Sequence, residues 1–317
     1  SGVGSARMAP AAPPPCPITG EPPRRHIQSV DVDFLCGLWK FEFGAEARAS
    51  FGDARTVDLY ESPTGLHYFW PPFPGDNTFY AGFYKALGPK RFPRAGVPRP
   101  EFVLASRVVK PGDRVLDVGC GFAGFKAVVP QARYFGLDPN FAERAVDWAS
   151  GESLEQHVTT YEGQYDVACA FQVIEHLADP LAEVQRMARV VRAGGHVAIG
   201  VPHVPSAMTR IPNFLVNAPP HHLTWWTREA LRAVATRSGL EVVSVEQVPW
   251  GPLDAEIYWI ERSLRVRTTD KYFEHSWASH AAVLAAFTIG PTLARLRGVP
   301  KDTRDEGAAL LLIARKS

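Results

Sequence analysis

The chain has 317 residues, 46% of them hydrophobic, with 34 basic and 33 acidic side chains for a formal net charge of +1. That length and apolar content can bury one large core plus an accessory unit. So even a balance excludes bulk attraction to nucleic acid, and Pro22-Pro23-Arg24-Arg25 is too short a basic run to restore it. Cys16, Cys36, Cys120 and Cys169 form no tight pair, which predicts free thiols in a reducing cytoplasm. No signal peptide is apparent. The longest apolar region, 281–296, is interrupted by Gly290, Pro291 and Arg295, which argues against a transmembrane segment.

Met8 reads as the native start, and 1–15, with its Pro/Ala stretch from Ala9, as a disordered tail. Residues 16–97 form an N-terminal accessory domain in this reading. Its turns Cys16-Pro17-Ile18-Thr19-Gly20 and Glu61-Ser62-Pro63-Thr64-Gly65-Leu66 resemble the two knuckles of a small zinc ribbon. Three of the four thiols of such a ribbon are replaced, by Thr19, Glu61 and Thr64. Tetrahedral zinc needs four donors, so the ribbon-like unit is expected to hold no metal. Aromatic and aliphatic side chains such as Phe34, Leu38, Trp39, Tyr68 and Phe69 are expected to hold it instead. After the proline turn at 71–76, Phe79-Tyr80-Ala81-Gly82-Phe83-Tyr84 predicts a helix near the mouth of a site. Tyr80 or Tyr84 could close over a ligand there, or simply pack.

Residues 98–317 read as the main domain, with a linker and first helix over 98–113. Arg114-Val115-Leu116-Asp117-Val118-Gly119-Cys120-Gly121 is a buried parallel strand running into a glycine turn. Asp117 would stand at the strand's carboxyl end, where a carboxylate can accept from an ammonium group. The glycines let backbone approach a ligand that side chains would exclude. Tyr134-Phe135-Gly136-Leu137-Asp138 is a second apolar run ending in an acid, placed to accept ribose hydroxyls or to cap the turn before Pro139. To this point a dinucleotide and an adenosine sulfonium both remain open, although a pyrophosphate is poorly served by the extra charge of Asp117.

The strand 165–171 and its sequel Gln172-Val173-Ile174-Glu175-His176-Leu177-Ala178-Asp179-Pro180 separate them. Asp179 and Pro180 begin a helix carrying Leu181, Val184, Ala188 and Val191, expected to close at Gly194-Gly195 before a strand over 196–201. With the two earlier motifs in order, this segment resembles the class I S-adenosylmethionine (SAM) methyltransferases, in their ubiquinone-type and sugar-modifying branch. The match departs from that pattern at Ala123, where glycine is usual.

The resemblance implies an α/β, Rossmann-like, seven-stranded and mostly parallel sheet with an antiparallel last strand. Thr227 should cap a helix to about Ser238, followed by a strand over 240–248 and the last strand over 308–314. Between these strands, 251–305 forms a helical insertion, its apolar face including Trp259, Phe273, Trp277, Leu284 and Phe287. That face could dock on the body, form a homodimer or meet a membrane-borne substrate.

The resemblance also implies the site. Asp117, Gly119 and Gly121 should surround the methionine part of SAM, and Asp138 its ribose. Glu152 or Ser153 should meet the adenine, and Gln172 should lie beneath the sulfonium. His176, oriented by Glu175 or by another acid, is the first choice of general base, and His222 of the Pro-Pro-His-His loop the second. His221, the further catalytic candidate, would point elsewhere or hydrogen-bond the loop, and His203 is a weaker candidate. A divalent metal would require His221 and His222 to fold back on His176, so none is assigned. The expected activity is methyl transfer to a small-molecule, sugar or lipid-linked hydroxyl acceptor, with a quinone or natural-product phenol behind it. The rival readings are a non-catalytic SAM-binding interaction protein and an NAD-dependent oxidoreductase.

Overall fold

The computed structural model describes residues 13–91, 99–144, 146–264, 271–300 and 307–317. Met8 and most of the expected tail fall outside them, as do 265–270 and 301–306 of the expected insertion. The first elements are β1 (Arg25–Asp31), α1 (Val32–Phe43), α2 (Arg48–Phe51), β2 (Thr56–Glu61), β3 (His67–Trp70) and α3 (Asn77–Arg91). Then come α4 (Pro100–Ala105), β4 (Arg114–Val118), β5 (Arg133–Leu137), β6 (Ala149–Ser150), α5 (Leu154–Tyr161), β7 (Tyr165–Phe171) and α6 (Pro180–Val190). The chain continues through β8 (Val191–Pro202), α7 (Ala207–Arg210), β9 (Thr224–Trp225), α8 (Arg228–Arg237) and β10 (Leu240–Gln247). It closes with α9 (Pro252–Ser263), α10 (Trp277–Arg297) and β11 (Ala309–Lys316).

The main sheet has seven strands in the order β10-β11-β8-β7-β4-β5-β6. Strands β4 to β8 run parallel, and β11 enters antiparallel between β8 and β10. The central strands are covered on both faces, which is why β4 and β7 read as apolar runs rather than alternating ones. From β4 the chain crosses to β5 on one side, and β7 pairs on the other, so a crevice opens at their carboxyl ends.

The capping signals hold. Asp179 Oδ1 accepts from Ala182 N at 3.0 Å at the start of α6, and Thr227 Oγ1 from Ala230 N at 3.1 Å at the start of α8. The expected end of α6 does not. The helix stops at Val190, and β8 already begins at Val191, opposite Tyr165. Gly194-Gly195 is a kink inside that strand, Gly194 at φ +76° and Gly195 so close to Asp166 O that a Cβ would meet it at 2.6 Å. A glycine pair marks a bulged strand as readily as a helix end.

The accessory sheet runs β1-β2-β3-β9, all antiparallel. Its last strand comes from the loop between β8 and α8, so this sheet is completed by residues far from 16–97. Trp39, Leu35, Leu38, Phe51, Leu59 and Phe69 are buried in its core, whereas Phe41 is exposed. All four cysteines are free thiols.

In the insertion the buried stripe of α10 differs from the expected one. It is His280, Val283, Ala286 and Gly290, and a Cβ at Gly290 would meet Ile260 of α9 at 2.2 Å. Small residues let the two helices approach closely, while Trp277 stays half exposed and Phe273 joins the accessory core. The helix α10 also runs unbroken through Gly290 and Pro291. Among the described residues it is the one helix long and apolar enough to cross a membrane.

Candidate active site

The glycine turn after β4 has the backbone that its residues permit. Gly119 sits at φ +67°, where a Cβ would meet Val173 Cγ2 at 2.5 Å, and Gly121 at φ +50° borders open space. Ala123 also adopts a left-handed conformation, at φ 55°, which is why glycine is usual there. The carboxylate of Asp138 braces this turn. Its Oδ2 accepts from Gly121 N at 2.9 Å, and its Oδ1 from the backbone N and Nδ2 of Asn140 at 2.9 and 2.8 Å. A carboxylate has about four acceptor sites, so Asp138 caps its turn and keeps one for a ligand hydroxyl.

Asp117 lies deeper than an open-cavity acid. Tyr134 donates its hydroxyl to Asp117 Oδ2 at 2.7 Å, and the Cys169 thiol faces Oδ1 at 3.6 Å. Burial pushes its pKa up to about 7, against the lowering effect of those two bonds. Tyr134 was not singled out by the sequence; its signal is the parallel register that sets β5 beside β4. Glu152 and Ser153 follow β6 at the same sheet edge. The Glu152 carboxylate engages His157 Nδ1 at 2.8 Å, and Ser153 closes a capping box with Gln156 at the start of α5.

The turn after β7 carries the other half of the site. Gln172 adopts φ 59°, a conformation costing on the order of 1–3 kcal/mol in a non-glycine residue, and it aims the chain into the short helical turn Ile174–His176. Glu175 is fully buried, and neither of its carboxylate oxygens has a hydrogen-bond partner. Burial pushes its pKa up to about 8. His176 donates Nδ1–H to the backbone oxygen of His221 at 2.6 Å, so the lone pair of the neutral ring is on Nε2. That nitrogen stands 3.9 Å from Glu175 Oε1. Burial lowers the pKa of His176 to about 4, outweighing the backbone oxygens that favour its charged form.

His221 does not turn away. Its ring centroid lies 4.5 Å from that of His176 and 4.6 Å from that of His222, and His222 lies 4.8 Å from His176. Burial drives both loop histidines well below the usual imidazole pKa, with His176 adding to the effect. His203 stays apart, its ring facing Gly307 O at 3.3 Å.

The accessory unit holds this loop in place. Trp39 Nε1 donates to Pro219 O and Gly75 N to Pro220 O, both at 2.9 Å. Phe69 N donates to Leu223 O at 2.9 Å, and Leu223 N to Glu175 O at 2.8 Å. From α3, Phe83 and Tyr80 place their rings 4.7 and 5.9 Å from His221. Tyr80 and Tyr84 stack at 5.7 Å. The charge of Glu175 helps to raise the Tyr80 pKa and that of Asp138 the Tyr84 pKa, burial being the main cause in both. One helix therefore spans the acid of the glycine-turn side and the acid of the histidine side.

Residues 79–245 match a protein-family model described as a methyltransferase domain. The chain is 34% identical over 100 residues to a ubiquinone biosynthesis O-methyltransferase of Escherichia coli O127:H6, covering 27% of this chain and 41% of that protein. It is 35% identical over 101 residues to the protein of that name from Pectobacterium atrosepticum, again over 27% and 41%. The chain thus spans less than half the length of these relatives. Among solved structures, phosphoethanolamine N-methyltransferase 2 of Haemonchus contortus with SAM aligns at a TM-score of 0.44 and 15% identity, over 68% of this chain and 52% of that one. The YcgJ protein of Bacillus subtilis aligns at 0.43 and 14%, over 68% and 97%.

Proposed function

The chain belongs to the class I SAM-dependent methyltransferases, and from that premise we propose that it methylates a hydroxyl group of a small or medium acceptor in the cytoplasm. One observation carries this reading. The five residues Gln172 to His176 join the glycine turn, through Val173 against Gly119, to a cluster of three neutral histidines.

The residues on the glycine-turn side suit the cofactor. Gly121 leaves open space beside its backbone, and Asp138 keeps an acceptor site for a ribose hydroxyl. Bound SAM supplies an electrophilic methyl group, whose transfer forms an oxygen–carbon bond, breaks the carbon–sulfur bond and leaves S-adenosylhomocysteine. The rest of the work is positioning and proton handling. Holding the reacting atoms in line contributes roughly 7–11 kcal/mol. With its Nδ1–H committed to His221 O, His176 presents a neutral Nε2 that can take the acceptor's proton; with its pKa lowered to about 4 it is a weak base, so the effect belongs at the lower end of about 10²–10⁴-fold. The rings of Tyr80 and Phe83 pack beside His221 and wall that side of the cluster.

The acceptor is a phenol in this reading. The name of the relatives supports it, and so does the aromatic wall beside His221; a sugar hydroxyl is the alternative. The test is release of S-adenosylhomocysteine from SAM with catechol-type phenols and, separately, with free and nucleotide-linked sugars. Turnover with phenols alone supports the reading. Turnover with sugars alone moves the acceptor class, and cofactor binding without turnover on either panel counts against catalysis on these acceptors.

A further inference from the structure

We propose that a cavity at the amino ends of β4, β5 and β7, at the opposite end of the sheet from the glycine turn, binds a small aromatic carboxylate. Its volume is about 250 Å³, and its lining includes Arg114, Arg133, Phe135, His157, Tyr161 and Tyr165. Sites for drug-sized ligands run to roughly 300–1,000 Å³, so this one suits a single ring carrying one acidic group.

The cationic half comes from two neighbouring strands. Arg114 opens β4, Arg133 opens β5, and the two are direct partners in the parallel register. Like charges side by side on adjacent strands repel, and an anion between them removes the repulsion. Among the described residues Arg133 has no carboxylate partner. Asp166 supplies only part of that charge, since its oxygens already accept from Arg192 Nε at 2.6 Å and from Arg114 N at 2.7 Å. The Arg114 guanidinium lies 5.1 Å from the centre of the Tyr165 ring and donates one N–H to Gln164 Oε1 at 3.0 Å. A guanidinium has five donors in a flat fork, so an edge remains for a carboxylate.

The aromatic half is built on α5. His157 and Tyr161, one turn apart, stack at 4.3 Å, and the Phe135 ring lies nearly parallel to His157 at 5.6 Å. His157 is buried with both nitrogens engaged, Nδ1 by Glu152 Oε1 and Nε2 by the Tyr165 hydroxyl, each at 2.8 Å. This wall is therefore fixed before a ligand arrives, which keeps the ordering cost of binding low. A flat acid uses both halves at once, its carboxylate on the arginines and its ring against the tyrosines. An aliphatic acid or an uncharged ring would use only one.

The experiment is a calorimetric titration of the full chain with benzoate, with benzamide as the uncharged control and cyclohexanecarboxylate as the non-aromatic one. One equivalent of benzoate should bind with a Kd of about 1 mM or tighter. Benzamide should bind about 10-fold or more weakly, and cyclohexanecarboxylate more weakly than benzoate. Arg133→Gln should weaken benzoate by about 10–100-fold, while SAM affinity stays unchanged and reports an intact fold. Absence of benzoate binding to the wild type overturns the proposal, and so does either control binding as tightly as benzoate. Benzoate binding that survives in both Arg133→Gln and Arg114→Gln also overturns it, because the acid is then held elsewhere. Because SAM binding is read separately, failure of this site leaves the methyltransferase reading standing.

Discussion

On the glycine-turn side, the residues come from consecutive strands of one sheet: Asp117 and Gly119 from the end of β4, Tyr134 and Asp138 from β5 and its turn. On the histidine side, the rings come from two segments 45 residues apart, and the loop carrying two of them is held by Trp39, Phe69 and Gly75 of the accessory unit. The first half is a local product of parallel strand pairing. The second is assembled beside the point where β9, from the main domain, pairs with β3 of the accessory sheet. Damage to the accessory unit should therefore reach the acceptor side and spare the cofactor side.

The largest expected effect isolates chemistry from binding. His176→Ala should lower kcat/KM by a factor at the lower end of about 10²–10⁴ while SAM affinity, measured calorimetrically, stays level. An equal loss of SAM affinity would show that the two halves are one unit. Next comes the titration of Asp117. Its pKa rises from 3.8 to about 7 on folding, so between those values the folded state binds the extra proton. Stability is then full below pH 3.8, declines through that window and levels above 7, a loss on the order of 4 kcal/mol. Denaturant midpoints from pH 5 to 8 should fall in the wild type and flatten in Asp117→Asn; parallel curves would remove Asp117 from the account.

Gly119→Ala sharpens the comparison from the cofactor side. The substitution meets the left-handed penalty of about 1–2 kcal/mol and a contact with Val173, so both SAM affinity and the thermal midpoint should drop. Trp39→Phe is the mildest test. It keeps the buried ring and deletes the bond to Pro219 O, a loss of about 1 kcal/mol. Turnover should fall with SAM affinity unchanged, and an unaltered kcat would mean that the loop does not depend on the accessory unit.

The same contrast explains what could be read from the residues. Asp179, Thr227 and the acid-glycine run from Asp117 are signals whose partners lie within a few residues, so helix starts and the glycine turn were legible. The end of α6 was not, because Gly194-Gly195 serves a bulge set by β7 across the sheet. Nothing near Pro219 to His222 indicates that this loop supplies a strand to the accessory sheet, or that His221 stacks on His222 beside His176. Those contacts join positions separated by 45 to 180 residues, and pattern within a window does not carry them. The small-residue stripe of α10 was missed for a related reason: large apolar residues marked the expected face, whereas close helix packing selected Ala286 and Gly290.

The most direct measurement is a calorimetric titration of SAM into the wild-type chain, Asp138→Ala and His176→Ala. The account predicts binding to the wild type and to His176→Ala with similar affinity, and loss of binding in Asp138→Ala. Absence of binding to the wild type, or its loss in His176→Ala alone, would contradict a cofactor half that is complete without the histidines.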